Sequence, residues 1–403
     1  MRIGIFTDTY YPLISGVVTS ITTLEEELIR KGHEVYIFTT DLDKRLENKQ
    51  NIHYFSGVKV PTEKLKSFRI SFRLHTKVKE IKKYNLDIIH IQTEFSMAKL
   101  GVLAGKKYHI PVIYTLHTLY EDYLQYISRT IDRLFHKKFL HTLASFLIGP
   151  INKIAQIKIV PTRKVLAHVS KYSLSGDIRV VPTGLDFKCL TDKKVDADSL
   201  LVLKKELNID PDSFIFLSIG RISDEKSLDK VIRAFSKIKD EPATLVIVGD
   251  GPAIMSLEKL SNELNISEDK IKFLGFIEWN NIVKYYQLGD LFVNASVTET
   301  QGLTYLESII CGTPLLVQKD ECLLEVIKEG KNGFYFNGED DLAVKMQYFL
   351  DHKTEVHALK NKTEETITKF TKEHFCDDIL QIYKDGINKS KIKTHKFITG
   401  LKK

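Results

Sequence analysis

The sequence predicts an α/β protein with two doubly wound domains, each a parallel sheet with helices on both faces. Its 403 residues exceed what one ordinary core holds and fit two domains of about 180 to 200 residues. Short apolar runs such as Phe214–Ile219 end at a glycine or a polar loop, as strands buried on both faces do. Those runs alternate with helical patterns in both halves of the chain. We therefore expect a first domain at residues 1–190, a second at 191–372, and a helix with a basic tail at 373–403.

The chain opens with a strand, a glycine-containing turn and a helix, the usual beginning of a doubly wound sheet. The strand is Arg2–Thr7, the turn contains Ser15 and Gly16, and the helix is Val17–Lys31. A G-x-G-x-x-G fingerprint is absent from the sequence, which disfavours a nicotinamide-dependent oxidoreductase. The further strands expected in the first domain are Val35–Thr39, Asp87–Ile91, Pro111–Leu116, Ile157–Val160 and Arg179–Pro182.

The second half repeats the same alternation after a polar, charged segment, Thr191–Ser199, which we expect to be the linker. The turn Gly249–Pro252 ends one strand and is compatible with the edge of a nucleotide or with a plain turn. Near the end of the chain, Glu373–Asp385 has a helical pattern, and the basic tail Lys389–Lys403 offers a possible contact with lipid. The strands expected in this half are Phe214–Ile219, Thr244–Val248, Ile271–Leu274, Leu291–Asn294 and Leu315–Val317.

The composition is that of a globular protein, with 43% hydrophobic residues. No apolar run reaches the ~20 residues that a helix needs to span a bilayer. The first predicted strand begins at Arg2, so a signal peptide is not expected and the cytoplasm is the expected compartment. The four cysteines form no close-spaced ligand motif, and we expect them to be buried thiols rather than disulfides or metal ligands.

Charge is distributed unevenly between the two halves. Residues 1–186 hold 28 Lys and Arg against 17 Asp and Glu, a net charge of +11, while the remainder holds 31 against 35, a net charge of −4. A basic half suits an anionic membrane surface or a nucleic acid. Because the sequence has no recognisable nucleic-acid motif, we expect a membrane partner and no nucleic acid.

A helix with an open amino end is predicted just after Gly302. Apolar residues at Leu303, Leu306, Ile309 and Ile310 have helical spacing, and Gly312 with Pro314 ends the pattern. Its first turn carries no acidic residue, and glycine permits close approach, so this end suits a phosphate. Glu299 precedes the helix and Glu307 lies inside it; carboxylates accept hydrogen bonds from hydroxyls. The segment predicts a sugar joined to a diphosphate, although two merely paired or solvated glutamates would give the same pattern.

A second segment supports the site. The strand Phe214–Ile219 ends at Gly220, so Arg221 and Lys226 project from the loop at its carboxyl end. Two cations in this place could neutralise a diphosphate leaving group.

These motifs resemble the large family of retaining glycosyltransferases with the GT-B fold, two facing Rossmann-like domains with a cleft between them. Glu299 and Glu307 match its pair of glutamates separated by seven residues. The loop from Gly220-Arg221 to Glu225-Lys226 matches its arginine-lysine loop.

A narrower resemblance concerns the N-terminal half. Met1–Gly16 and Thr115–Asp122 look like the branch that glucosylates diacylglycerol, the alpha-monoglucosyldiacylglycerol synthases. The resemblance covers about residues 1–385. It implies a hexosyltransferase of glycolipid biosynthesis that uses UDP-glucose and diacylglycerol at the inner face of the cell membrane, and a C-terminal helix that returns to the first domain.

The resemblance also implies roles for individual residues. Glu307 would bind ribose hydroxyls and Glu299 the sugar, while Arg221 and Lys226 would stabilise the charge on the leaving diphosphate. The anomeric configuration would be retained without a covalent enzyme carboxylate, by same-face attack with the leaving phosphate accepting the proton. No metal or cofactor is expected, because the two cations and the helix end occupy the place of an ion. The further donor-binding residues would be Gly16, Ile277, Gly302, Leu303 and Thr304.

Two polar residues follow strands of the first domain. His117 lies past Pro111–Leu116, in the crevice where open parallel sheets bind ligands. It matches the family's crevice histidine, which implies that it holds the transferred sugar through hydrogen bonds, as a member of the catalytic set rather than as a nucleophile. Asp8 follows the first strand and could meet the acceptor hydroxyl or cap its loop.

Two basic segments could contact a membrane. Arg129, Arg133, Lys137 and His141 recur every four residues, so a helix would align them in one row beside an apolar face, as in an interfacial helix; a core helix with a solvated basic face has the same pattern. Lys64–Leu74 alternates basic or hydroxyl residues with apolar ones. We interpret it as a half-buried strand with Phe68, Ile70, Phe72 and Leu74 on one face and Arg69 and Arg73 on the other, rather than as a lipid-contact edge.

Two alternatives stay open. One is a glycosyltransferase of the same fold with another acceptor, such as phosphatidylinositol, a glycosyl-lipid or a polysaccharide intermediate. The other is a non-catalytic protein of this fold that binds lipid or a partner; such a protein would not need to keep Arg221, Lys226, Glu299 and Glu307 together.

Overall fold

The computed structural model describes residues 1–13, 15–40, 51–59, 69–117, 145–169, 174–360 and 367–400, with side chains up to residue 392. The chain divides into two compact units. Unit 1 comprises Met1–Gly184 and Phe370–Lys403, and unit 2 comprises Leu185–Lys369. Each contains one parallel sheet with helices, so the predicted α/β class with two Rossmann-like sheets is confirmed.

The sheet of unit 1 has seven strands in the order β3-β2-β1-β6-β7-β8-β9, and every pair of neighbours is parallel. A separate two-stranded ribbon pairs β4 with β5 in antiparallel fashion. The strands of unit 1 are β1 Arg2–Phe6, β2 Glu34–Thr40, β3 Ile52–Phe55, β4 Val58–Lys59, β5 Arg69–Ile70, β6 Ile88–Ile91, β7 Val112–Thr115, β8 Ile157–Val160 and β9 Ile178–Val180.

The C-terminal helix α13 (Lys372–Gly400) packs on this sheet rather than on that of unit 2. Its side chains Phe375, Ile379 and Tyr383 are buried with residues of β1, β7 and β8 in one core cluster. The other helices of unit 1 are α1 Gly16–Arg30, α2 Leu74–Ile81, α3 Ser96–Tyr108 and α4 Arg163–Val169, and residues 145–154 are helical as well.

Unit 2 has a six-stranded parallel sheet in the order β12-β11-β10-β13-β14-β15. Its strands are β10 Phe214–Ile219, β11 Ala243–Val248, β12 Ile271–Phe273, β13 Leu291–Asn294, β14 Leu315–Gln318 and β15 Gly333–Phe336. Its helices are α5 Phe187–Thr191, α6 Ala197–Glu206, α7 Leu228–Ser236, α8 Ile254–Glu263, α9 Ile282–Leu288, α10 Leu303–Ile310, α11 Gly338–Asp351 and α12 Lys353–Lys360.

Each sheet has a switch point, where the strand order reverses. In unit 1 it lies between β1 and β6, and in unit 2 between β10 and β13. Open α/β sheets bind ligands outside the carboxyl ends of the strands at this point, because the loops there diverge to opposite faces of the sheet. The residues that follow β1, β6, β10 and β13 are therefore candidates for contact with a ligand.

Three features differ from the sequence interpretation. The chain passes into unit 2 at Leu185, ahead of the segment 191–199 predicted as a linker, whose two ends belong to α5 and α6. Helix α13 continues to Gly400, beyond the predicted end at Asp385. Lys389, where the basic tail was predicted to begin, forms an ion pair with Asp177 at 2.5 Å.

The ribbon β4-β5 corrects the interpretation of Lys64–Leu74. Arg69, predicted to be exposed, is 8% exposed, whereas Phe72, predicted to be buried, is 60% exposed. Ile70 is also exposed and lies opposite Val58, which is exposed on the same face of the ribbon. The predicted strand is therefore wrong in its buried face and in its extent, because Arg73 is exposed and Leu74 already begins α2.

Candidate active site

The amino end of α10 has the open character that the sequence predicts. Gly302 precedes the helix with φ 74°, a left-handed conformation, and provides no capping side chain. A Cβ at Gly302 would lie 2.3 Å from the ring of Tyr305, so a larger residue would clash there. The first turn, with Leu303 and Thr304, carries no acidic side chain. This end can therefore receive an anion on its backbone N–H groups.

The loop after β10 lies beside that helix end. A Cβ built on Gly220 would meet the Thr304 side chain at 3.9 Å. On the other side, a Cβ on Gly249 would lie only 1.8 Å from the carbonyl oxygen of Gly220, so the turn after β11 packs directly against this loop. Gly249 also has φ 138°, a backbone conformation that favours glycine. Both the backbone conformation and the lack of room for a Cβ therefore require glycine there.

The four charged residues proposed from sequence lie in this same region of unit 2. Lys226 Nζ lies 2.5 Å from Glu299 Oε1, and the two side chains are 24% and 13% exposed. Arg221 forms an ion pair with Glu225, whose Oε1 also accepts a hydrogen bond from Ser223 Oγ at 2.5 Å. Arg221 is 53% exposed, so its guanidinium remains accessible to a ligand.

The backbone of Glu225 joins the two loops of the site. Its carbonyl oxygen accepts hydrogen bonds from Ser296 Oγ at 3.4 Å and from Thr298 Oγ1 at 3.3 Å. Since Ser296 and Thr298 lead directly to Glu299, these bonds hold the loop after β10 against the loop after β13. Neighbouring cations and the Ser223 hydroxyl keep the pKa of the Glu225 carboxyl below its usual range, although burial acts in the opposite direction.

Glu307 lies in the interior of α10 and is buried. Tyr286 on α9 donates a hydrogen bond from its hydroxyl to Glu307 Oε2 at 2.6 Å. Burial raises the pKa of Glu307, and the tyrosine hydrogen bond offsets part of that rise. Tyr286 is itself held by Thr313, which donates from Oγ1 to the Tyr286 carbonyl oxygen at 2.6 Å. This arrangement fixes one carboxylate oxygen of Glu307 and leaves Oε1 outside that bond.

Ile277 follows β12 at the same edge of the sheet. The backbone N–H of Gly249 donates to the carbonyl oxygen of Gly275 at 2.8 Å, which ties this loop to the turn after β11. Ile277 is half-buried, while its neighbours Phe276 and Trp279 are exposed by 54% and 40%. The residues predicted to bind the donor in unit 2 thus follow β10, β12 and β13 at one edge of a single sheet.

In unit 1, Asp8 is buried, and its carboxylate accepts hydrogen bonds from neighbouring residues of the same unit. Oδ2 accepts from Thr93 Oγ1 at 2.7 Å, and Oδ1 accepts from Ser96 Oγ at 2.6 Å and from the Met97 N–H at 3.0 Å. Ser96 is the first residue of α3, so Asp8 caps that helix from the neighbouring strand. Of the two roles left open by the sequence, this geometry supports the cap; contact with an acceptor hydroxyl stays a prediction.

His117 follows β7 and is half-buried. Its Nε2 lies 2.6 Å from Gln92 Oε1, the side chain that follows β6. Burial lowers the pKa of His117 to about 4, so the ring is neutral at pH 7. The histidine therefore lies at the carboxyl edge of the sheet, beside the switch point, as predicted.

Gly16 begins α1 and is exposed. The preceding Ser15 is extended at φ −162° and accepts a hydrogen bond on Oγ from the Val18 N–H at 3.3 Å. Because Ser15 has an ordinary extended backbone, glycine is not required at that position. The first turn of α1 contains no acidic residue.

Several predictions fall on residues that are not described. Arg129, Arg133, Lys137 and His141 all lie in 118–144, outside the described residues. Among the described residues, no cluster of three or more His, Cys, Asp or Glu could hold a metal ion. No helix in the described part of the chain is long and apolar enough to cross a membrane.

Sequence reasoning missed four contributors to the site. No sequence pattern identified Tyr286, because its partner Glu307 is 21 residues away and belongs to another helix. Ser296, Thr298 and Glu225 lie within or beside the motifs that were recognised, but their hydrogen bonds join two loops that are 71 to 73 residues apart in sequence.

Known proteins are similar to this chain over nearly its whole length. Residues 14–188 match the model "Glycosyltransferase Family 4" and residues 202–366 the model "Glycosyl transferases group 1". The alpha-monoglucosyldiacylglycerol synthase of Acholeplasma laidlawii is 37% identical over 98% of this chain and 100% of its own length. The enzyme of the same name from Streptococcus pneumoniae is 35% identical over 96% of this chain and 86% of its own.

Solved structures agree on the fold. An Anabaena protein, Alr3699/HepE, crystallised with UDP and glucose, superposes with a TM-score of 0.73 at 17% identity, covering 95% of this chain and 99% of that one. Sucrose-phosphate synthase from Thermosynechococcus elongatus superposes with a TM-score of 0.74 at 21% identity, covering 95% and 98%. These structures confirm the predicted GT-B fold, and the two synthases together with the family models confirm the hexosyltransferase class. With the arginine-lysine loop and the spaced glutamates on one sheet edge, this chain belongs to the GT-B glycosyltransferase family that includes the alpha-monoglucosyldiacylglycerol synthases.

Proposed function

We propose that this protein transfers glucose from UDP-glucose to diacylglycerol, with retention of the anomeric configuration, at the inner face of the cell membrane. The observation that carries the proposal is the assembly of Arg221, Lys226, Glu299 and the amino end of α10 in one part of unit 2. It is supported by 37% identity, over nearly the full length, to a relative named for this product.

The donor binds to unit 2 through its diphosphate. Negative charge grows on the leaving diphosphate as the glycosidic bond breaks, and preorganised positive groups lower the energy of that state. Arg221 and Lys226 supply two charges, and the amino end of α10 adds its backbone N–H groups at Leu303 and Thr304. No metal ion is needed in this account, because those groups neutralise the charge that an ion would otherwise neutralise.

The two glutamates bind hydroxyl groups of the donor. Glu307 uses Oε1 for the ribose hydroxyls while Tyr286 holds Oε2. Glu299 binds the sugar, and its ion pair with Lys226 orients its carboxylate. Gly16 in unit 1 and Ile277 in unit 2 contribute backbone contacts to the diphosphate and the base.

Transfer then occurs on one face of the sugar. The acceptor hydroxyl attacks from the side that the diphosphate leaves, and a phosphate oxygen takes the hydroxyl proton, so no enzyme carboxylate becomes glycosylated. Neutral His117 holds the sugar through hydrogen bonds rather than as an acid or a nucleophile. Asp8 serves this site by capping α3 beneath it.

Unit 1 contacts the anionic membrane. Arg129, Arg133 and Lys137 remain the proposed basic row. Val58 and Ile70 on the ribbon β4-β5, and Phe72 just after it, add an apolar contact; they are 62%, 38% and 60% exposed respectively. Exposed apolar groups flanked by cations suit an interface where acyl chains meet anionic head groups.

In the direct test, purified protein is incubated with vesicles that contain diacylglycerol in an anionic phospholipid. One radiolabelled sugar nucleotide is added at a time. We expect transfer from UDP-glucose to give a monoglucosyl lipid whose anomeric proton shows the α configuration by NMR. Transfer only to phosphatidylinositol, a glycosyl-lipid or a polysaccharide intermediate would mean that this molecule, rather than diacylglycerol, is the acceptor. A folded protein that turns over no sugar nucleotide would overturn the proposal and favour a non-catalytic role.

Membrane contact is tested separately by sedimentation with vesicles. Phe72→Ser should weaken binding about fivefold, because part of an aromatic side chain no longer leaves water. Val344→Ser in unit 2 removes an apolar side chain that is 66% exposed and should leave binding unchanged. Equal effects of both substitutions would contradict a membrane role for the ribbon.

A further inference from the structure

A continuous chain of hydrogen bonds runs through the interior of unit 1 to His117. It begins at Tyr383 on α13, whose hydroxyl lies 2.8 Å from His90 Nδ1. His90 Nε2 lies 2.7 Å from Thr115 Oγ1, and the Gln92 amide nitrogen lies 3.2 Å from His90 Nδ1. Gln92 Oε1 then lies 2.6 Å from His117 Nε2. Apart from His117, every member is less than 9% exposed.

The amide of Gln92 lies with its oxygen towards His117. Its Oε1 is 2.6 Å from His117 Nε2, whereas its amide nitrogen lies on the other side, 3.2 Å from His90 Nδ1 and 3.4 Å from His90 Nε2. Burial lowers the pKa of His90 to about 3, so that ring is neutral. Each nitrogen of the ring has a hydroxyl neighbour, Tyr383 at Nδ1 and Thr115 at Nε2. The group of Gln92 that meets His117 is therefore the amide oxygen.

An amide oxygen only accepts hydrogen bonds, so its partner on His117 must carry a proton. We infer that Gln92 is a positioning residue, which holds the proton of His117 on Nε2 and thereby leaves Nδ1 as the acceptor atom of the ring. His117 then binds the transferred sugar by accepting a hydrogen bond from one of its hydroxyl groups. Gln92 itself does not touch the substrate, and the buried His90 and Tyr383 hold it in place from behind.

The role of His117 rests on the proposed function, whereas its tautomer does not. The tautomer is measured by ¹⁵N NMR of protein labelled in histidine, without donor or acceptor. In wild type we expect the His117 signals of a neutral ring protonated at Nε2. Gln92→Leu removes the acceptor at similar volume, and we expect a mixture of the two neutral tautomers. Wild-type signals from an Nδ1-protonated ring, or unchanged signals in Gln92→Leu, would overturn the inference.

Kinetics test the consequence for catalysis. Gln92→Leu should lower kcat about 10- to 100-fold while the affinity for UDP, which binds unit 2, changes less than twofold. Gln92→Glu keeps an acceptor oxygen at the same reach, so it should retain the Nε2-protonated signal and recover part of kcat. A kcat that stays at the wild-type value in Gln92→Leu would contradict the role.

A matched control is available on the same sheet. Gln156 makes a structural hydrogen bond, in which its Oε1 accepts from the Val112 N–H at 2.6 Å. Gln156→Leu should lower the melting temperature without changing the His117 tautomer. If it changes the tautomer as Gln92→Leu does, the effect comes from general loosening of the sheet and the inference fails. If wild type transfers no glucose yet shows the expected tautomer, the proposed function fails and the positioning by Gln92 stands.

Discussion

The two units place different chemistry at the same topological position. In unit 1, the residues after β1, β6 and β7 are joined by hydrogen bonds, which the Asp8 carboxylate accepts from the start of α3 and which link Gln92 to the neutral His117. In unit 2, the residues after β10 and β13 form ion pairs, Lys226 with Glu299 and Arg221 with Glu225, and Arg221 is half exposed. One edge is suited to orienting hydroxyl groups and the other to binding an anion.

The difference follows from what each kind of group costs to bury. An unpaired buried charge is expensive, so the cations of unit 2 lie near the surface, each with a carboxylate partner, until a diphosphate arrives. Neutral groups can be buried if their hydrogen bonds are satisfied, and they then hold a fixed geometry. Both units use one sheet topology, so the division of labour lies in the loops rather than in the fold.

The largest effect is expected from removing the charges of unit 2. Arg221→Ala with Lys226→Ala should lower kcat/KM by about 1000-fold or more, because the leaving diphosphate loses both cations. Activity is measured with UDP-glucose and diacylglycerol vesicles, and folding by thermal melting. Lys230→Ala, an exposed lysine on α7, is the matched control and should keep wild-type activity. If the double variant still transfers sugar, the claim that the cations of unit 2 bind the diphosphate is wrong.

A stability effect is expected from Asp8 in unit 1. Asp8→Ala removes the acceptor of three hydrogen bonds, two from the start of α3 and one from Thr93, and should lower the free energy of unfolding by about 3 kcal/mol. The control is Asp87→Ala, which removes one exposed bond, from the Arg2 N–H at 2.7 Å, and should cost less than about 1 kcal/mol. If Asp8→Ala melts like wild type but is inactive, Asp8 contacts the acceptor instead.

Gly302 can be compared with a second left-handed glycine. Gly302→Ala should destabilise unit 2 by about 2 to 3 kcal/mol, because its Cβ meets the Tyr305 ring at 2.3 Å in a left-handed backbone. Gly338 has φ 83° with no atom within 4 Å of a Cβ, so Gly338→Ala should show backbone strain alone, about 1 kcal/mol. Equal losses in denaturant unfolding would mean that the tight approach at Gly302 contributes nothing.

The stability of unit 1 should decrease in mild acid because of His117. Burial lowers the pKa of His117 to about 4, so below pH 6.5 the unfolded chain takes up a proton that the folded chain excludes. Stability is therefore present above pH 6.5 and is lost as the pH falls towards 4. His117→Asn should remove about 2 kcal/mol of the difference in unfolding free energy between pH 7 and pH 5. A variant with the wild-type pH dependence would show that His117 is not held neutral by burial.

The sequence predicted best where the signal was local. The apolar runs of β10 and β13 matched their observed ends, because strands buried on both faces consist mostly of apolar residues. Strand β3, Ile52–Phe55, was missed because two of its four residues are polar enough to resemble a loop. On the ribbon, the alternation of Arg69 and Ile70 was visible, but only the packing of the unit decides which face is buried.

The same limit applies to the site. Arg221, Lys226, Glu299 and Glu307 were recognisable from spacing within two short segments. Their partners were not, since Lys226 and Glu299 are 73 residues apart and Glu307 meets Tyr286 from another helix. Which carboxylate neutralises which cation is a property of the tertiary structure.

The most direct test of the account measures what the cations of unit 2 bind. Calorimetric titrations compare UDP with uridine for wild type and for the Arg221→Ala, Lys226→Ala double variant. We expect wild type to bind UDP at least about 100-fold more tightly than uridine, and the double variant to lose most of that difference while binding uridine as before. A double variant that binds UDP as tightly as wild type would contradict the claim that these residues hold the diphosphate.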